Sequence, residues 1–190
     1  MPNTLKVASD LYTNPPKTAI PGARKDVRSI TLATTDLITT QIVALAVLPA
    51  GHMLTDFVLE SGSLDSNGTT TVTVSVGILN TYYNQAPATA SVAANYNPIT
   101  YDSAGNAIYS ESPATDQNAA TAPALVANHN IFTASTVCQA GGRVYPASAF
   151  TRYIGVDKTR DRIIALQFAV APATAQAGTV TFIVGIDYAN

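Results

Sequence analysis

Thr69-Thr-Thr-Val-Thr-Val-Ser-Val-Gly-Ile-Leu79 marks the chain as a β protein. Thr71, Thr73 and Ser75 alternate with Val72, Val74 and Val76, which puts hydroxyls on one face and methyls on the other, the period of a half-buried β-strand. Just upstream, Ser63-Leu-Asp-Ser-Asn-Gly68 carries Asn67-Gly68, a strong hairpin signal because both residues tolerate φ > 0. Val27 to Thr34, Ile42 to Leu48 and Met53 to Glu60 are compact β-rich runs, and Pro49-Ala-Gly51 separates the second from the third. Three consecutive antiparallel strands from Ile42 to Leu79 are predicted.

Downstream the same texture returns in Ile131 to Val137, Phe150 to Val156, Arg162 to Val170 and Thr179 to Tyr188, where β-branched and aromatic residues are dense and helix caps are absent. Pro172-Ala-Thr-Ala-Gln-Ala-Gly178 joins the last two runs as a C-terminal hairpin. About eight strands joined by short turns predict an all-β fold, an antiparallel β-sandwich of jelly-roll kind. No alternation of strand and helix supports a parallel α/β fold.

Two segments break this pattern. Residues 1–26 show no helical or strand period and contain Pro15, Pro16 and Pro21, so they read as an extended N-terminal arm ahead of a single domain over 27–190. Residues from about 80 to 130 are rich in Ala, Thr, Asn, Ser and Pro, and read as a long loop insertion. Within it, Ser103-Ala-Gly105-Asn106 is a tight turn that makes a small hairpin of Ile99-Thr-Tyr101 and Ala107-Ile-Tyr109, and Ala119 to Asn128 reads as a short helix limited by Pro123.

Charge narrows the function classes. Only 12% of the 190 residues are charged, the net charge is −2, and no Lys or Arg lies between Arg28 and Arg143. Phosphate binding needs clustered cations, so nucleic acid is not an expected partner. Arg24, Lys25 and Arg28 are interrupted by Asp26, and Lys158, Arg160 and Arg162 by Asp157 and Asp161, which reads as surface ion pairing. The apolar runs fall far short of the ~20 residues that cross a bilayer, and no membrane association is expected. Met-Pro-Asn-Thr-Leu-Lys6 lacks the apolar core of a secretory signal.

Reactive constellations are equally sparse. His52 and His129 are the only histidines, and neither has a His, Cys or carboxylate at metal-ligand spacing, so no metal and no cofactor is expected. No Gly-x-Ser-x-Gly elbow is present. Asp56 and Glu60 share a strand face and are the nearest thing to a glycosidase pair, but read as solvated side chains. Asp65-Ser-Asn67-Gly68 begins like a calcium loop and lacks its later bidentate Glu, which leaves a turn. Ala140-Gly-Gly-Arg143 reads as a turn, and the single Cys138 as a buried inert thiol. No catalytic residue is assigned and the chain does not read as an enzyme.

Ile42-Val-Ala-Leu-Ala-Val-Leu48, Pro49-Ala-Gly-His-Met-Leu54, Asp56-Phe-Val-Leu59 and Thr70-Thr-Val-Thr-Val-Ser-Val-Gly-Ile78 together resemble a pattern in small virion structural proteins of tailed bacteriophages, of the capsid decoration or cement type. Val184-Gly-Ile-Asp-Tyr188 extends it loosely. The resemblance implies a sandwich on the outer capsid shell, commonly a homotrimer, that clamps capsomers built from the major capsid protein. It also implies a virion location after assembly in the bacterial cytoplasm. Area matters more than chemistry for such a protein. The expected contact residues are Leu11, Tyr12, Pro15, Pro16 and Ile20 in the arm, and Tyr82, Tyr83, Tyr96, Tyr101 and Tyr109 in the insertion. The rival class is a receptor- or carbohydrate-binding virion appendage, in which Tyr82, Tyr83, Tyr96 or Tyr101 stack on sugars.

Overall fold

The computed structural model describes residues 4–7, 24–83, 100–101, 106–108, 124–146, 154, 156 and 161–188. These form two sheets that share one hydrophobic core. The strands are β1 (Thr4–Val7), β2 (Arg24–Leu32), β3 (Gln41–Leu48), β4 (His52–Ser61), β5 (Thr73–Tyr83), β6 (Thr100–Tyr101), β7 (Asn106–Ile108), β8 (Leu125–Ser135), β9 (Gly142–Val144), β10 (Asp161–Val170) and β11 (Gly178–Tyr188). The larger sheet has seven strands in the order β6-β7-β1-β3-β10-β5-β8, and the smaller has four, β2-β11-β4-β9. All pairings are antiparallel except β1 with β3.

Burial follows from each strand's place. All eight residues of β3 are buried, consistent with a strand covered on both faces, whereas β4 alternates for most of its length, as a strand with one wet face must. Phe57, Phe168 and Phe182 are among the largest fully buried side chains, and Phe57 meets Phe132 edge-on at 5.8 Å.

Strand content follows the sequence reading well, but strand pairing does not. Among the described elements the chain changes sheet at every connection except those from β5 through β8. Pro49-Ala-Gly51 therefore carries the chain from one layer to the other, and β3 and β4 are not a hairpin. The expected hairpin at Asn67-Gly68 is likewise absent, because β4 and β5 lie in different sheets, and so do β10 and β11 on either side of Pro172–Gly178. Turn residues mark where a chain reverses and leave open which strand it then joins. Burying two sheet faces against each other favoured the crossings.

Four further expectations change. Thr4–Val7, placed in an arm without strand period, pairs in parallel with β3 from Thr4↔Gln41 to Val7↔Ala44. Residues 125–128 continue β8 as strand where a helix was predicted, and Leu125 pairs with Leu79. Val137–Ala140 is a four-residue helix and Gly142–Val144 a strand on β4, where a strand end and a turn were expected. Most of Phe150 to Val156 lies outside the described residues, but Ile154 is helical and buried rather than extended. The small hairpin forms as read, with Thr100↔Ile108 and Tyr101↔Ala107.

β8 is the long outer strand of the larger sheet, and its register against β5 shifts three times. Ala134 takes φ 49° within it. Bulges of this kind twist an edge away from further pairing. Their consequence is a close approach at Gly77, where a Cβ would lie 2.8 Å from both the His129 carbonyl oxygen and Asn130 Oδ1. Gly77→Ala is expected to destabilise the fold by about 1–3 kcal/mol in urea unfolding, since the backbone of β8 must move.

Candidate assembly surface

The outer face of the four-stranded sheet is a regular, partly exposed surface. Its residues follow from register and alternation: Lys25, Val27, Ser29 and Thr31 on β2 are exposed, while Arg28, Ile30 and Leu32 are buried. Across the sheet these meet Thr179, Thr181, Ile183 and Gly185 on β11, and then Glu60, Val58 and Asp56 on β4.

The rows are chemically distinct. Ser29 and Thr181 hydroxyls share a hydrogen bond of 2.8 Å, and those of Thr31 and Thr179 one of 3.4 Å. Val27, 62% exposed, lies in line with Ile183 and Val58 as an apolar row. Lys25 reaches over the central strand to Asp56 at 3.0 Å. That span is open because Gly185 lies between them, where a Cβ would come within 2.8 Å of Asp56 Cβ. Arg143 on β9 pairs with Glu60 at 2.6 Å.

Among the described residues, Lys25 and Arg143 on this face are each matched by a carboxylate, so the described surface is locally neutral. Exposed pairs of this type contribute little to stability, about 0–1 kcal/mol. Their effect here is to remove the net field that would steer a polyanion. Nine residues along β2 and four strands across give about 30 Å by 15–20 Å, or roughly 500 Å². A stable interface takes about 800 Å² from each partner, so this face needs help from other segments.

Of the residues expected at contacts, Tyr82, Tyr83 and Tyr101 are described. Leu11, Tyr12, Pro15, Pro16, Ile20, Tyr96 and Tyr109 lie outside the described residues. Tyr82 and Tyr83 end β5 and pair with Arg162 and Asp161, whereas Tyr101 is on β6 at the far edge of the same sheet. Five strand spacings, roughly 24 Å, separate β6 from β5. Three of the expected tyrosines thus belong to two regions. The outer face, with Val27, Ser29, Thr181 and Ile183, was missed because register across β11 is invisible in sequence.

The candidates for chemistry are dispersed. His52 is buried and its Nδ1 is 2.9 Å from the Ala50 carbonyl oxygen, and His129 lies in the other sheet. Asp56 and Glu60 are both held in ion pairs. Of the Arg24, Lys25 and Arg28 group, Lys25 pairs at the surface with Asp56, whereas Arg28 departs from the surface reading: it is buried, with its Nε donating to Asp26 at 2.8 Å. Arg162 departs from the reading as a surface residue: it is buried and donates to the carbonyls of Ile154 at 2.7 Å and His52 at 3.4 Å. Among the described residues no group of three or more His, Cys, Asp or Glu side chains is placed to hold a metal ion. Nor does any helix there have the length and apolarity to cross a membrane.

Cys138 is buried, and burial pushes its thiol up to about 11 against a smaller opposing hydrogen bond with Ser61. A thiol-specific chromogenic reagent at pH 8 is expected to leave it unmodified in the native protein and to titrate one thiol in denaturant.

Asp65 organises the backbone around it. It is buried in the loop between β4 and β5 and accepts four backbone N–H groups. Oδ1 takes those of Asn67 at 3.1 Å and Thr174 at 3.0 Å, and Oδ2 those of Thr71 at 2.9 Å and Ala173 at 3.0 Å. Burial pushes its carboxyl up, but the four donors outweigh that and hold it well below the usual carboxylate range. Ser66 N–H to the Thr174 carbonyl and Gln176 N–H to the Leu64 carbonyl, both 3.0 Å, complete the stitch. The carboxylate is saturated by the chain's own backbone, which makes it a structural tie between two layer crossings.

No protein-family model and no curated protein matches the chain. Among solved structures it is similar to a chain of the capsid of Ralstonia phage GP4, at 24% identity and a TM-score of 0.66, over 98% of this chain and 99% of that one. It is also similar to a chain of the capsid asymmetric unit of cyanophage Pam1, at 18% identity and a TM-score of 0.51, over 90% of this chain and 92% of that one. At these identities the likeness is one of fold, and it runs nearly end to end.

Proposed function

We propose that the chain is a structural protein of a tailed-phage virion, a capsid decoration or cement protein that binds the outer shell and stabilises capsomer contacts. The observation that carries this reading is the correspondence of fold, over almost the full length of both chains, with a chain of a phage capsid. The hydroxyl and apolar rows of the outer face agree with it, and its four charged side chains cancel in the pairs Lys25–Asp56 and Arg143–Glu60. In this reading the chain is a homotrimer on a jelly-roll sandwich, its partner is the major capsid protein, and neither nucleic acid, membrane nor cofactor takes part. The arm and the insertion supply the contact area that the roughly 500 Å² face lacks.

The test is sedimentation of the purified chain with undecorated shells of the phage that encodes it. Binding that saturates at a fixed number of copies per shell supports the proposal. A chain that stays in the supernatant while binding an immobilised glycan makes it a receptor-binding appendage instead.

A further inference from the structure

β1 lies inside its sheet and not at an edge. Its four residues pair in parallel with β3 on one side, and on the other antiparallel with β7 through Leu5↔Ala107 and Lys6↔Asn106. It thereby joins the β6–β7 hairpin to the rest of the seven-stranded sheet. A strand in such a place is held by main-chain rungs on both sides. None of these depends on which copy supplies it.

The tether is the second observation. Residues 8–23, with Pro15, Pro16 and Pro21, connect β1 to β2. Fully extended they reach about 55 Å. Packed sheets are only about 10 Å apart, and a compact chain of this length is about 40 Å across. The connection is several times longer than a crossing between layers requires, and long enough to reach the next copy. Parallel pairing removes any other short tether, because no tight turn can join parallel neighbours. Between β1 and β3 the chain also passes through β2 in the other sheet.

We propose that the place between β3 and β7 is filled by Thr4–Val7 of a second copy, so that neighbouring copies are laced together by exchange of β1. Exchange conserves every rung and differs from internal docking only in the entropy of chain closure. A neighbour held beside the slot in an assembly presents its strand at an effective concentration in the millimolar range. The inference rests on the assembly reading above for the presence of that neighbour, and adds to it the identity of one self-contact.

Thr4→Cys combined with Gln41→Cys tests it in the full chain. The two are register partners, and adjacent strands about 4.8 Å apart fall within the Cα range a disulfide spans. Cys138 is buried and does not compete. After oxidation, exchange yields covalent multiples of 19.7 kDa on a non-reducing gel. A monomer carrying an internal disulfide overturns it. Should that variant fail to fold, Lys6→Cys with Asn106→Cys reads the same strand against β7, with the same two outcomes. The two proposals fail separately: internal disulfides in a chain that still saturates shells remove exchange alone, and interchain disulfides in a chain that ignores shells remove the virion reading alone.

Discussion

Asp65→Asn is expected to lower the melting temperature by roughly 10 °C while leaving the strand content of the folded state unchanged. The side chain accepts two backbone N–H groups on each oxygen. An amide has the same shape but one oxygen becomes NH2, so two buried donors then face a donor. The loops that lose their tie, around 65–71 and 173–174, are the crossings from β4 to β5 and from β10 to β11. The pH dependence follows from the direction of the shift. The carboxyl titrates lower in the folded chain than in the unfolded one, so its contribution is fully present above the unfolded value of about 3.9 and is lost as pH falls through the folded one. Wild-type stability should therefore fall steeply below about pH 4, and the variant should follow a flatter line over the same window. Parallel slopes for the two proteins in acid urea titrations would count against Asp65 as the tie.

Phe182→Ala is expected to cost about 3–5 kcal/mol, read as a lower urea midpoint at unchanged slope. Phe182 is fully buried on β11, which sits between β2 and β4 and so has no free edge through which the cavity could collapse. Two residues of the same strand make the internal comparison: Thr181 and Ile183 belong to the outer face, where truncation to Ala removes far less buried surface. A Phe182→Ala variant no less stable than Ile183→Ala would mean that the two sheets do not share the core described.

Composition and period were enough for β2 to β5, β10, β11 and the second half of β8, because alternation such as Val72, Val74 and Val76 against Thr71, Thr73 and Ser75 is imposed by the pleat itself, but not for the short β1 and β9, whose three or four residues show no period. They were enough for the Thr100–Ile108 hairpin as well, since its turn residues and its partner strands are adjacent. Layer assignment was a different matter. Pro49-Ala-Gly51, Asn67-Gly68 and Pro172–Gly178 all carry turn chemistry, yet each leads into the opposite sheet, and the pairing energy that selects β10 for β3 and β11 for β4 comes from residues about 120 positions away. Asp65 shows the same limit. Asx-turn residues at 65–68 were legible, but the Ala173 and Thr174 donors that bury and saturate the carboxylate arrive from the far end of the chain. The tyrosines read as one set of anchors were grouped by composition, and the sheet separates Tyr101 from Tyr82 and Tyr83.

Light scattering on the purified full chain, alone and then titrated with undecorated shells, measures the proposed role most directly. The expected result is a mass near three times 19.7 kDa for the free protein and a rise in shell mass that saturates at a fixed copy number. A free monomer and a shell mass that does not change on addition would contradict a capsid-stabilising function.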